Sequence, residues 1–416
     1  MTGTVRNSTP GGQGLRALDL KGFPIPASPR IFPLQAPAEH VTLEGMQMLI
    51  FTGPAGITAL AAAATAAAAA AAGARTLLAS VGPSHAVATL ARVPLGGNPH
   101  PVGPGLDAWC LDPLADLARI WSALPAKTPI AGDELPVIPG SDLFLAVANL
   151  RTLGADYDLV CVDAGPPDTL LRALGVPDTF RWTMRLFLGL DRGPGRSSAS
   201  VSRALVPIGL LPFPMEWTSN LQEARVRLEQ LRDETVAPAR ARVRYVLRAD
   251  RSGLDEARVA LPALQLFGLA VEAIIAGPLL PCTDGLTPLV EEQEHVTSEA
   301  TTIWKERPLL RMPATVTPSG PAELAALGAR IYADASPLPR TPLPPPVRLS
   351  GPPDPMVTMD VPGLPRETLG LTLSGDELIV RAGIYRRHIL LPDGLRGTTA
   401  IKAARQGETL IVRPRK

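Results

Sequence analysis

A chain of 416 residues is long enough to bury one large core and to add a small second domain. The formal net charge is +1, so there is no bulk electrostatic attraction to nucleic acid or to an anionic membrane. Hydrophobic residues make up 46% of the chain, which excludes a globally disordered protein.

The three cysteines, Cys110, Cys161 and Cys282, lie far apart and form no C-x-x-C pair. This spacing argues against zinc and against a disulfide framework, and we expect three buried thiols in a reducing compartment. The N-terminus has no basic stretch followed by an apolar one, and the run from Ala59 to Ala72 is too weakly apolar to span a bilayer. These features predict a cytoplasmic protein with no integral membrane segment.

The first predicted element begins at Met46. Residues 1–44 contain many Gly, Pro and Ser residues with little periodicity, which predicts an irregular tail. The apolar run from Met46 to Phe51 predicts a central strand, and the stretch from Thr52 to Thr58 predicts a turn. An alanine-rich helix follows and ends at Gly73. Because alanine permits near approach, we expect this helix to pack closely against the sheet.

This order of strand, glycine-bearing turn and helix is the layout of a phosphate-binding loop. In a working loop, backbone N–H groups and the helix N-terminus cradle the phosphates, a lysine reaches the β/γ oxygens, and a Ser/Thr hydroxyl holds Mg²⁺. Placed without gaps on GKGGVGKT, the segment reads Gly53, Pro54, Ala55, Gly56, Ile57, Thr58, Ala59 and Leu60.

The loop lacks the groups that bind phosphate and metal. Pro54 and Ala59 replace the two lysines, Leu60 replaces the metal-binding hydroxyl, and no lysine occurs between Lys21 and Lys127. Pro54 also removes a backbone donor. The sequence therefore predicts the fold of the loop without its hydrolysis chemistry. Two interpretations of the glycines stay open, a plain turn and a weak anion site at the helix N-terminus.

Apolar runs separated by helical segments continue beyond the loop, and they predict a buried, mostly parallel sheet with crossover helices. Residues 45–335 are therefore assigned to an α/β domain, a three-layer sandwich of the P-loop NTPase type. The strands are expected at residues 76–81, 158–163, 205–211, 243–247 and 271–275, and the helices at residues 113–122, 219–234, 253–267 and 288–304.

The composition changes near Ser336. Residues 336–355 contain nine prolines and predict an extended, semi-rigid linker. Beyond it, residues 356–416 alternate apolar and polar side chains and are punctuated by Gly and Pro turns, which predicts a small all-β sandwich domain. Arg386 and Arg387 are expected on a solvated strand face of that domain.

The order of several motifs resembles the ArsA-type ATPase family, which includes the arsenite-pump ATPase and the ATPases that target tail-anchored membrane proteins. The degenerate loop matches the deviant Walker A position of that family. LLASVGPSHAVATLARVPLG resembles the first switch, AWCLDPLADLARIW a strand with an Asp-Pro pair, and DYDLVCVDAGPPDTLLRALGVPDTFRW the second switch. The C-terminal segments MDVPGLPRETLGLTLSGDELIV, YRRHILLP and GETLIVRP resemble an α-crystallin, or small heat-shock protein, domain.

The resemblance also implies site residues. The water-positioning aspartate of the first switch corresponds to Gly82, followed by Pro83, Ser84 and His85, and the aspartate of the second switch is present as Asp163. The base-reading asparagine corresponds to Gly277. For Asp163, a turn-capping role and a residual Mg²⁺ role both stay open, and His85 is either an ordinary loop histidine or a general base.

The resemblance implies ATP and Mg²⁺ as cofactors, but the missing groups predict that this binding is weak or lost, and no metal site is expected. We expect a non-catalytic subunit or a client-binding, chaperone-like protein, with an active transport or targeting ATPase as the alternative. The expected partners are a second copy or a competent ATPase paralogue in a dimer. An apolar protein client is the other candidate, because Met184 to Trp217 falls where the family builds its client-binding region; interior packing is the alternative there.

Overall fold

The computed structural model of the chain describes residues 46–81, 85–122, 134, 140–188, 217–333, 335–339, 343–374, 376–398 and 400–415. The expected tail at residues 1–44, the expected strand at residues 205–211 and most of the apolar segment from Met184 to Trp217 lie outside this part of the chain.

A large sheet forms the middle layer of the body, and its strand order agrees with the predicted α/β class. Its strands are β1 (Gln47–Thr52), β2 (Thr76–Ser80), β3 (His100–Gly103), β4 (Leu106–Cys110), β5 (Leu159–Asp163), β6 (Ala241–Leu247), β7 (Ala270–Leu279) and β8 (Leu309–Pro313). They are arranged in the order β3-β4-β2-β5-β1-β6-β7-β8. Every neighbouring pair is parallel except the antiparallel pair of β3 and β4 at one edge. Strand β1 is central, as predicted.

Helices cover both faces of this sheet. They are α1 (Ile57–Ala71), α2 (Ala86–Ala91), α3 (Pro113–Ser122), α4 (Ser141–Leu153), α5 (Pro167–Leu174), α6 (Val176–Leu188), α7 (Trp217–Thr235), α8 (Arg251–Leu266), α9 (Thr287–Ile303) and α10 (Pro321–Tyr332). In the part of the chain that the structure describes, no helix combines the length and the apolar character needed to cross a membrane. The three-layer sandwich expected from the sequence is confirmed.

The alternation of side chains along β1 divides the core into two clusters. Met48 and Ile50 belong to the cluster on one face, together with α4, α5 and α8. Leu49 and Phe51 belong to the cluster on the other face, together with α1 and α10. Successive residues of a strand point to opposite faces, so a continuous apolar run is what a strand needs when helices cover both sides.

Helix α1 packs unusually close to its neighbours. Most of its alanines are buried against the sheet and α10. A Cβ atom added to Gly328 of α10 would lie 2.3 Å from the carbonyl oxygen of Ala64 and 2.7 Å from the Cβ of Ala68. The backbones of α1 and α10 therefore approach to a distance that only glycine on one side and alanine on the other allow.

A buried polar chain fixes α1 on this face. Arg244 of β6 donates from Nε to Glu272 Oε1 at 2.6 Å and from Nη1 to the Tyr332 hydroxyl at 2.6 Å. Because arginine only donates, the Tyr332 hydroxyl donates to Thr65 Oγ1 at 2.6 Å, and Thr65 donates to the carbonyl oxygen of Ala61 at 2.7 Å. The chain satisfies every buried group in it and links α1 to β6, β7 and α10.

The C-terminal unit consists of two antiparallel sheets, as the period-two pattern predicts. Its strands are β9 (Val347–Ser350), β10 (Met356–Asp360), β11 (Leu369–Ser374), β12 (Glu377–Ala382), β13 (Tyr385–Leu390), β14 (Ile401–Gln406) and β15 (Thr409–Pro414). One sheet has the order β14-β15-β10-β9 and the other β11-β12-β13. Strand β9 lies within residues 336–355, which the sequence assigns wholly to a linker; residues 347–350 instead pair with β10.

The C-terminal unit is docked on the body through shared core. Helix α8 contacts β10 and β12, and the buried residues of α8 and of the sandwich form one continuous apolar cluster. The Trp304 indole is fully buried and donates to the carbonyl oxygen of Pro362 at 3.4 Å. Gly363 lies against the same ring, where an added Cβ would be 3.0 Å from Trp304 Nε1. The unit is therefore not held at a distance by its proline-rich segment.

Two sequence-based expectations about single residues are wrong. Cys110 and Cys161 are buried as expected, but Cys282 is exposed in the loop between β7 and α9. Arg386 is exposed, whereas the Arg387 side chain is only 11% exposed because it points into the contact between the two units. The prediction for Arg387 failed because a period-two pattern does not distinguish a solvated strand face from a docked one.

The close contact of α1 gives a testable prediction. Replacing Ala64 with Leu should lower the free energy of unfolding by about 1–3 kcal/mol, because the Ala64 side chain is fully buried and leaves no space for the added carbons. Chemical denaturation of the full chain measures this difference. The matched control is Ala71→Leu, since Ala71 is exposed at the end of the same helix. Equal stability of the two variants would show that α1 is not packed as described.

Candidate nucleotide-loop site

The loop between β1 and α1 joins the end of a central strand to the first turn of a helix, and a glycine stands at each end of it. Gly56 precedes α1 with φ of 81°, a conformation that favours glycine. Gly53 follows β1, and a Cβ atom there would lie 2.2 Å from the carbonyl oxygen of Val246 on β6. The glycines are therefore required by the turn itself, whatever ligand the loop meets.

Several polar groups of the loop are already engaged within the protein. Gly53 N–H donates to the carbonyl oxygen of Gly165 at 3.1 Å, and Thr52 Oγ1 donates to the same oxygen at 2.8 Å. Thr58 N–H donates to the carbonyl oxygen of Pro54 at 3.2 Å, and Pro54 has no N–H. The loop is thus tied to the segment after β5 instead of presenting a full set of free donors.

Asp163 lies beside this loop, at the carboxyl end of β5. Its side chain is fully buried and accepts hydrogen bonds from Ser80 Oγ and from the Gly165 N–H, each at 3.2 Å. Burial raises the pKa of the Asp163 carboxyl above its ordinary value, and these hydrogen bonds only partly oppose the rise. Among the described residues no lysine or arginine forms an ion pair with Asp163.

Thr58 covers this carboxylate from the loop side. Thr58 is fully buried, and its Oγ1 makes no hydrogen bond to a described residue, although it is close enough to Asp163 to help hold down the pKa of that carboxyl. In the alignment with GKGGVGKT, Thr58 replaces the glycine directly before the second lysine. A side chain therefore occupies the place where a glycine lets the backbone approach a phosphate.

Cys110 and Ser80 lie at the same edge of the sheet as Asp163. Cys110 ends β4, and burial, helped by the nearby Asp163, raises the pKa of its thiol to about 12. Ser80 ends β2 and is also buried. The cluster of Thr52, Thr58, Ser80, Cys110 and Asp163 is thus buried, polar and without a cation among the described residues. It also contains no group of three or more His, Cys, Asp or Glu side chains that could hold a metal ion.

The remaining predicted site residues are placed elsewhere. Gly82, Pro83 and Ser84 lie outside the described residues. His85 precedes α2 with an exposed side chain that makes no hydrogen bond to another described residue, while its carbonyl oxygen accepts from Thr89 N–H at 3.1 Å. Gly277 lies on β7, where a Cβ atom would be 2.4 Å from the carbonyl oxygen of Met312 on β8. Close packing of strands accounts for that glycine, and its role at a base position stays a prediction.

Sequence reasoning missed the roles of Thr58 and Ser80. The motif comparison considers only the lysines and the hydroxyl at the last position of the motif, which is Leu60 here. It therefore assigns no function to the hydroxyl of Thr58, two positions earlier. Two signals could have revealed these roles. Thr58 is a branched residue at a glycine position of the motif, so its side chain has to be accommodated beside the loop. Ser80 ends a strand that pairs with the strand of Asp163.

Two family models match the chain. The model of a family described as anion-transporting ATPase matches residues 46–313, which is more than half of the chain. The chain belongs to that family. A second model, an HSP20-like domain found in the same family, matches residues 355–413. The family and the small heat-shock-like C-terminal domain expected from the sequence are therefore confirmed.

Three relatives match between 56% and 88% of the chain. An uncharacterized protein of Streptomyces coelicolor is 31% identical over 392 residues, which are 88% of this chain and 97% of the relative. A putative arsenical pump-driving ATPase of Prosthecochloris vibrioformis is 26% identical over 251 residues, 56% of this chain and 62% of the relative. A putative arsenical pump-driving ATPase of Aquifex aeolicus is 22% identical over 400 residues, 88% and 99% of the two chains.

The family name implies ATP and Mg²⁺, but the described residues do not fit them. The Thr58 Oγ1, which is buried without a hydrogen-bond partner among the described residues, is an oxygen there with free capacity for a ligand. Three features argue against such a ligand. The Asp163 carboxyl group is fully buried and burial favours its neutral form, the loop contains no lysine, and Pro54 stands where an N–H donor is needed. Phosphate sites depend on cations, and the described residues of this cluster supply none.

The buried carboxyl group of Asp163 predicts a specific pH dependence. Its folded pKa is raised, so the folded state binds the proton more tightly and the protein loses stability as the pH rises from about 4 through the folded pKa. Asp163→Asn keeps the shape without the charge. We expect the free energy of unfolding of this variant to increase relative to the unaltered chain over that rise in pH, as measured by chemical denaturation.

The control for this experiment is Asp284→Asn, because Asp284 is an exposed carboxylate in the loop before α9. The same measurement on this variant shows what an aspartate-to-asparagine change does outside the buried cluster. A difference between Asp163→Asn and the unaltered chain that does not change with pH would contradict the raised pKa of Asp163.

Proposed function

We propose that this chain is a family member that does not hydrolyse nucleotide and acts as a binding protein, the non-catalytic subunit of a competent ATPase. The observation that supports this most directly is the burial of Asp163 beneath Thr58, in a cluster where no described residue supplies a cation. A carboxylate that holds Mg²⁺ must be ionised and must face the phosphates. This one faces two hydroxyls and an amide instead.

The missing charges set the size of the expected defect. A hydrogen bond to a charged group contributes roughly 1.5–3 kcal/mol, and the loop lacks two lysines and one metal-binding hydroxyl. Since every 1.4 kcal/mol is about a factor of ten in affinity, these losses amount to several orders of magnitude in the Kd for Mg·ATP. An active ATPase with a non-standard site would need cations from residues outside this cluster.

The preserved fold of the loop argues for a retained protein-binding role. The glycines, the central strand and the close packing of α1 are all kept although the chemistry is absent. The packing of Gly53 against β6 and of α1 against α10 requires this geometry. The chain therefore keeps the surface that a partner of a catalytic paralogue would meet, in a homodimer or in a heterodimer.

A client-binding role is the second candidate, and one observation favours it. Trp182 on α6 is 52% exposed and Ile384, in the turn between β12 and β13, is 82% exposed. Single exposed apolar residues are common on protein surfaces, which is why the subunit role is preferred. Protection of an aggregating apolar protein by the full chain, followed by light scattering, would favour the client-binding role.

The first test is direct. Titration calorimetry of the full chain with Mg·ATP should show no saturable binding in the micromolar range, and no phosphate should be released. A relative with an intact GKGGVGKT loop, measured under the same conditions, is the control. A micromolar Kd together with turnover that Asp163→Ala abolishes would overturn the proposal.

The second test separates a non-catalytic subunit from an unrecognised enzyme. Added to a competent paralogue from the same organism, the chain should change the rate of ATP turnover, and Asp163→Asn should change it equally because this carboxyl takes no part in the chemistry. Phosphate release in the mixture measures both. Loss of the effect in the variant, with binding to the paralogue retained, would show that Asp163 acts in catalysis.

A further inference from the structure

Asp178 of α6 lies where three elements of the protein meet. Its Oδ1 accepts from Arg232 Nη1 of α7 at 2.9 Å, and its Oδ2 accepts from Arg387 Nη1 of β13. Arg181, one turn further along α6, adds a third guanidinium at 3.5 Å. A single carboxylate thus connects the helix that bears it to the next helix and to the C-terminal unit.

A second triad joins α6 and α7 to the C-terminal unit with the charges reversed. Here the central residue is Arg181 of α6, which lies 3.4 Å from Glu229 of α7 and 3.8 Å from Glu377 of β12. Glu377 is in turn 3.2 Å from Nδ1 of His388. Each triad therefore places one charge on α6 between an opposite charge from α7 and an opposite charge from the sandwich.

The contacts of the first triad are buried, so a charge left without a partner there would be costly. The Asp178, Arg232 and Arg387 side chains are between 7% and 11% exposed. Arg387 also lies over the ring of Phe267, directly after α8, at 5.4 Å from the ring centre. Because α6 is bonded both to α7 and to the β unit, any movement of α6 away from α7 must also break its contacts with Arg387 and Glu377. The loss of Arg387 removes part of that cost, while Asp178 keeps Arg232 and Arg181 as partners.

We propose that the C-terminal β unit is an intramolecular clamp that holds α6 against α7 through these two triads. The clamp makes the packing of two helices of the body conditional on the docking of a unit that is more than 100 residues away in sequence. A docked β unit keeps the helix pair closed, and undocking releases it. This role is independent of nucleotide chemistry at the loop.

Hydrogen exchange of the full chain, followed by mass spectrometry, tests the clamp. In Arg387→Ala, amides of α6 and α7 should exchange about tenfold faster, because local opening of the helix pair becomes easier. Amides of β1, in the middle of the sheet, and of α1, on its other face, should keep their protection. The matched control is Arg386→Ala, the exposed neighbour on the same strand, which should exchange like the unaltered chain.

Three other results would contradict the clamp. Unchanged exchange in α6 and α7 of a folded Arg387→Ala chain would overturn it, as would equal loosening in Arg386→Ala. A uniform increase that includes β1 and α1 would show only global destabilisation and would also overturn it. If Arg387→Ala does not fold, Arg387→Lys keeps the charge with a single point of contact. That variant should show faster exchange in α6 and α7 only.

Discussion

The close approach of α1 to its surroundings is the constraint on which the rest of the body depends. Its alanines allow the helix to lie against the sheet and against Gly328 of α10, and the buried chain from Thr65 to Glu272 fixes its rotation. Because a helix is rigid, fixing its middle also fixes its first turn. Thr58 therefore lies over Asp163 as a result of packing two turns away, and its position depends on the whole helix.

The architecture of the body could be predicted because its strands and helices have strong, long patterns. β1, β2, β5, β6 and β7 are apolar runs that helices cover on both faces, and such runs can be recognised without knowing their neighbours. The edge strands β3, β8, β9 and β14 were not predicted. They are short or partly polar, and pairing with a neighbour in the sheet rather than local composition makes them strands.

For the candidate site, the sequence predicts which groups are missing but not how the remaining groups are arranged. The missing lysines are visible in the sequence, and so is Asp163 at a strand end, but its surroundings are not. That Thr58 and Ser80 converge on this carboxyl follows from the parallel pairing of β2 with β5 and from the rotation of α1. The contact of Arg387 with Asp178 was out of reach for the same reason, since it joins residues 209 positions apart that no local pattern relates.

The apolar cluster that runs from α8 into the sandwich has a consequence for how the protein unfolds. Two units with separate cores can melt independently, whereas units that share a core lose part of each other's buried surface when either one opens. Trp304 and Phe267 would both become exposed if the sandwich left. The chain is therefore two domains by topology and one cooperative unit in thermodynamic terms, and heat or denaturant should not separate a stable intermediate from it.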